Sequence, residues 1–81
     1  MIFKQKISNY NVLSTGVDGG HFYISTEIEY EGLTRTIIVF FENKSDEKFL
    51  LAKEEILVSG NLIDQGLEQS LILNNSIIII K

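Results

Sequence analysis

The stretch Ile56–Leu73, ILVSGNLIDQGLEQSLIL, reads as two strands joined by a short polar turn. Ile56, Val58, Gly60 and Leu62 fall on one face, and Leu57, Ser59, Asn61 and Ile63 on the other. That is the two-residue period of a strand. Asp64-Gln65-Gly66 has the chemistry of a turn, with Gly66 free to take a positive φ. Leu71 and Leu73 then share a face, with Ser70 and Ile72 opposite. Gly60 is out of place in a strand interior, where glycine packs nothing. Such a residue marks a bulge, a sharp bend or a close backbone approach. A strand coiled tightly into a small barrel needs such a point.

Outward from this stretch the same preference holds. Thirteen of the 81 residues are isoleucine, and Ala52 is the only alanine. Branched and aromatic side chains favour strands, and the absence of proline leaves any strand free to sit centrally in a sheet. The length fits one domain, residues 1–81. Without cysteine there is neither a disulfide framework nor a thiolate metal site, and the lone His21 cannot assemble a zinc site. No metal or cofactor is expected. MIFKQKISNY lacks the apolar run of a signal peptide, and no stretch has the length of a membrane span. The expectation is a cytoplasmic protein without membrane association. A net charge of −4 gives the chain no overall attraction to a polyanion.

Taken in order, a first strand is expected from Ile2 to Thr15, with Ser8-Asn9 as a bulge. Gly16-Val17-Asp18-Gly19-Gly20 is a loop. A phosphate-binding loop would need a Lys-Ser/Thr pair and a helix after the glycines, so a hairpin loop is the better reading. His21–Tyr30 alternates: Phe22, Ile24, Thr26 and Ile28 point one way, and His21, Tyr23, Ser25, Glu27 and Glu29 the other. Glu31-Gly32 makes a tight turn, and Leu33–Phe41 runs back as its partner. Ser45 is the expected N-cap of a short helix, with Asp46 and Glu47 in its first turn and its end near Lys53 or Glu54. After the opening stretch, Asn74-Asn75-Ser76 interrupts the last strand and Ile77–Ile80 completes it.

The expected fold is therefore mainly β, with five strands and one short helix between the third and fourth. That order is the topology of the OB-fold, a partly open Greek-key barrel. The run LLAKEEILVSGNLIDQGLEQSLIL, Leu50 to Leu73, resembles the second half of bacterial single-stranded-DNA-binding OB domains. The matching positions are Leu51, Lys53, Val58, Gly60, Leu62, Leu71 and Leu73. The family usually has Lys-Gly before the fourth strand, where this chain has Lys53-Glu54, and its binding aromatics have no clear counterpart.

The resemblance implies binding of single-stranded nucleic acid across the second and third expected strands, by aromatic stacking and cationic contacts. The candidates are Tyr23 as the stacking ring, Arg35 beside it, Lys4 and Lys6 extending the patch, and His21. The plainer reading of Arg35 is a cross-strand pair with Glu27 or Glu29. Those two glutamates read as a solvated strand surface rather than an acid–base pair, and no catalytic constellation can be assembled. The alternative function is a protein–protein interaction module or structural subunit. Self-association is also expected. An OB barrel pairs its third and fifth strands, so Ile37–Phe41 should lie beside Leu71–Ile80, both apolar on both faces. Either Ile38 and Phe40 or Ile37, Val39 and Phe41 must point out, with two of Ile77–Ile80. The expected interface is Ile38, Phe40, Ile78 and Ile80, since a bare apolar patch marks a contact surface.

Overall fold

A computed structural model describes residues 2–14, 22–50 and 55–80, apart from the side chains of Lys44, Lys48, Phe49 and Ile80. The fold is mainly β, in one curled sheet. Its strands are β1 (Ile2–Ser8), β2 (Asn11–Ser14), β3 (Phe22–Tyr30), β4 (Leu33–Phe41), β5 (Glu55–Ile63) and β6 (Leu71–Ile80). Their order across the sheet is β1-β5-β6-β4-β3-β2. All neighbours are antiparallel except β4 and β6, which run parallel with Ile37 beside Leu71.

Six described strands replace the five expected, because the first breaks at Asn9. That residue has φ 56°, a left-handed conformation that asparagine tolerates better than most side chains. The break shapes the whole sheet. β1 and β2 hold its two edges, yet only Asn9 and Tyr10 separate them in the chain. The sheet must therefore curl until its edges approach. Where they are not hydrogen-bonded, Phe3 of β1 and Tyr30 of β3 meet edge-on, with ring centroids 5.9 Å apart, and both pack against the core.

The alternation read from the sequence fills the inside. Ile24, Ile37, Val39, Val58, Leu71 and Leu73 are fully buried. Along β6 the alternation changes phase. Leu71 and Leu73 point inward, and so do Ser76 and Ile78. The pairing shows why: between Val39–Leu73 and Phe41–Ser76, β4 advances two residues and β6 three. The same extra residue appears against β5, between Asn61–Asn74 and Ser59–Ile77. It is a β-bulge at Asn74-Asn75, with Asn75 at φ 51°. Ile78 is thus 4% exposed and belongs to the core, which corrects its expected place at an interface. The outward residues are Ile77 and Ile79, at 40% and 42%. Gly60 faces the bulge. A Cβ there would stand 2.6 Å from Ser76 Oγ and 2.8 Å from the Asn74 carbonyl oxygen.

The expected helix is a six-residue 3-10 segment, η1 (Lys44–Phe49), and its N-cap is Asn43 rather than Ser45. Its expected end near Lys53 or Glu54 lies outside the described residues. The two acids do more than favour a helix start. Asp46 and Glu47 are buried: the Ile78 N–H donates to Asp46 Oδ2 at 3.3 Å, and the Phe22 N–H donates to Glu47 Oε1 at 2.8 Å. They tie η1 to the backbones of β6 and β3. Beside them the Tyr10 hydroxyl donates to the Leu50 carbonyl at 3.0 Å, and desolvation raises its pKa above the usual tyrosine value.

Gly60→Ala should therefore destabilise the fold by about 1–3 kcal/mol, the range for an overpacked core. Ser59→Ala, one residue away on the outer face, should stay within roughly 0.5 kcal/mol of wild type. Urea unfolding followed by circular dichroism compares them. Equal midpoints for the two variants would contradict the close approach.

Candidate functional site

The hairpin of β3 and β4 carries the expected binding face, and its register follows from its turn. Tyr30 faces Leu33 across Glu31-Gly32, with Glu31 at φ 52° and Gly32 at φ 82°. Counting back from that turn sets Tyr23 opposite Phe40, Ser25 opposite Ile38, Glu27 opposite Thr36 and Glu29 opposite Thr34. These pairs lie on the outer wall, because Ile24, Ile28, Ile37 and Val39 occupy the inner one.

The Tyr23 and Phe40 rings are 5.2 Å apart and tilted by 32°. Leu13 of β2 pairs with Tyr23 on one side, and Ile72 of β6 pairs with Ile38 on the other. The η1 end of the hairpin is thus aromatic and apolar, with Phe40 36% exposed, while its turn end carries Glu27 and Glu29. Sequence reasoning singled out Tyr23 as the stacking ring and missed Phe40 as its companion. The two-residue turn fixes that pairing and could have revealed it.

Arg35 does not join this face. It shares parity with Ile37 and Val39, so it points inward, and it is only 7% exposed. Its partner is neither Glu27 nor Glu29. Nη2 donates to Asp64 Oδ1 at 3.0 Å, to the Gly66 carbonyl at 2.8 Å and to the Gln69 carbonyl at 3.1 Å. A buried guanidinium requires such partners. The arrangement anchors the loop between β5 and β6 to the inner side of β4. The Gly66 N–H also donates to Asp64 Oδ1 at 3.0 Å. The hydrogen bond from Arg35, then that from Gly66, holds the Asp64 carboxyl below the usual aspartate pKa.

Lys4 and Lys6 lie on the outer face of β1, opposite Ser59 and Leu57 of β5. Lys6 Nζ is 3.4 Å from Glu55 Oε1, both side chains being mostly exposed, a pair of little energetic weight. Where β1 approaches β3, Phe3 meets Tyr30, and the outer residues of that half of β3 are Glu27 and Glu29. The structure therefore does not gather the two lysines around Tyr23 and Phe40. His21 lies outside the described residues. Of the expected interface residues, Ile38 and Phe40 are on the outer wall, Ile78 is inside, and the Ile80 side chain is not described.

Among the described residues no group of three His, Cys, Asp or Glu side chains could hold a metal ion, and no helix is long and apolar enough to cross a membrane. No family model matches the chain, and no match was found among curated proteins or solved structures.

Because its folded pKa is lowered, Asp64 stabilises the fold above the unfolded aspartate value and loses that contribution as pH falls through the folded one. An NMR titration of the Asp64 carboxyl should give a midpoint below the usual aspartate value in the wild type, moving back toward it in Arg35→Gln. An ordinary midpoint in the wild type would contradict the anchor.

Proposed function

We propose that the chain is a small OB-fold-like binding protein, a partly open Greek-key barrel. In this reading it takes single-stranded nucleic acid across the outer face of β3 and β4, weakly or within a larger assembly, and it has no catalytic role. The observation that carries it is the Tyr23–Phe40 pair, two neighbouring rings on the outer wall, Tyr23 half-buried and Phe40 partly exposed. Bases stack on such rings whatever their sequence, with roughly 1–3 kcal/mol per base at stake. The topology supports the barrel reading, since one broken strand serves both sheet edges and β4 runs parallel to β6. The stretch that resembles single-stranded-DNA-binding domains contains β5, its loop and the start of β6, with Gly60 facing the bulge.

Stacking would dominate over charge. Arg35 is turned inward, Glu27 and Glu29 share the hairpin, and no described cation adjoins the rings. Few phosphates would be neutralised, so affinity should vary only shallowly with salt. The same facts favour a second reading, a protein–protein module whose apolar wall meets an apolar partner.

Fluorescence anisotropy with labelled oligonucleotides at low salt separates the two. Binding should appear at tens of micromolar protein, and Tyr23→Ala and Phe40→Ala should each weaken it about tenfold. A plot of log K against log salt should have a slope shallower than about −2. No binding, or binding indifferent to both substitutions, would defeat the first reading and leave the second.

A further inference from the structure

We propose that a second copy of this chain packs on the outer face of β5 and β6. The two copies are related by a two-fold axis running along the strands, with Lys4 of each copy paired to Glu42 of the other. The centre of that face is apolar: Leu57 is half-buried, and Ile77 and Ile79 are 40% and 42% exposed in the middle of the sheet. The rim is set by register. Lys4 faces Ser59 across β1 and β5, and Ser59 faces Ile77 across β5 and β6. Phe41 faces Ser76 across β4 and β6, which brings the next residue, Glu42, level with Ile77. Glu42, Ser59, Asn61 and Ile77 line one recess, so they share this face. One row across the wall therefore reads Lys4, Ser59, Ile77, Glu42, with a cation at one end and a carboxylate at the other.

These two charges are three strand spacings apart, about 14 Å, too far to pair within one copy. Neither has an ion-pair partner among the described residues. A two-fold axis along the middle of the row exchanges its ends. It sets each Lys4 against the other copy's Glu42 and each Ile77 against Ser59. The curled wall is convex, so two copies diverge away from the axis. The row matches that shape, with short side chains at the centre and long charged ones at the rim. An apolar centre with a polar rim is the ordinary anatomy of an interface, and self-complementarity is what a two-fold contact requires. This complementarity singles out a second copy, although the net charge of −4 opposes indiscriminate association. The inference does not depend on nucleic-acid binding.

Sedimentation equilibrium at low salt tests it on the wild type, Ile77→Lys, Lys4→Glu, Glu42→Lys and the double variant Lys4→Glu/Glu42→Lys. The wild type should be a dimer and Ile77→Lys a monomer. Each single charge reversal should weaken association about tenfold, by replacing two attractive rim pairs with repulsive ones. The double variant should recover most of that loss. Melting curves check folding, and the reversals lie at exposed positions where the fold tolerates them. A monomeric wild type, single reversals without effect, or a double variant no tighter than the singles would each overturn the proposal.

Discussion

Gly60 lies against the β6 backbone where β6 carries one residue more than its neighbours. The missing side chain in β5 makes room for the extra residue in β6. Before the bulge Leu71 and Leu73 face the core, and after it Ser76 and Ile78 do. Ile78 is therefore a core residue, and Ile77 and Ile79 form the outer wall. A bulge also bends its strand and increases the local twist. β6 lies between β5 and β4 in the sheet, so that bend adds to the curl that brings the edges together.

Closure sets where charge can sit. At the hairpin end, Arg35 holds the β5–β6 loop through Asp64 and two carbonyls. At the other end, Asp46 and Glu47 accept from the backbones of β6 and β3. A buried polar side chain is tolerated only where such partners meet it. The only arginine and two of the acids are thereby committed to holding the structure together. Among the described residues the outer wall carries aromatic and aliphatic side chains, exposed glutamates on the hairpin and lysines on β1.

Much of this was legible in the residues. The alternation in Ile56–Ile63 and in Tyr23–Glu29 divided the two faces as the structure has them, although Phe22 at the strand start is exposed, and Gly60 pointed to a bulge or close approach that exists. The pairing of Ile37–Phe41 with the last strand followed from the expected topology and is present. Other features depend on partners distant in the chain. The inward turn of Arg35 agrees with the parity of Ile37 and Val39, but an arginine reads as surface until three acceptors from a loop some 30 residues later are supplied. Asp46 and Glu47 resemble a helix start because local pattern cannot show the strand ends that draw them in. The four isoleucines Ile77–Ile80 have no internal contrast, so it is the bulge at Asn74-Asn75 that turns Ile78 inward and leaves Ile77 and Ile79 outside. For the candidate site, the outward place of Tyr23 follows from its alternation, whereas its pairing with Phe40 needs the register of the turn.

The most direct measurement is thiol labelling at the end of β6, which the absence of native cysteine makes clean. Ile77→Cys and Ile78→Cys would be compared one at a time under native conditions, at protein concentrations low enough to keep the chains apart. With the bulge in place, Ile77→Cys should react near the rate of an exposed thiol. Ile78→Cys should react about 100-fold more slowly or less, through opening of the sheet. Had the alternation of Leu71 and Leu73 continued unbroken, Ile77 would face the core and the order of reactivity would be reversed. That reversed order would contradict the bulge and the outer wall built on it.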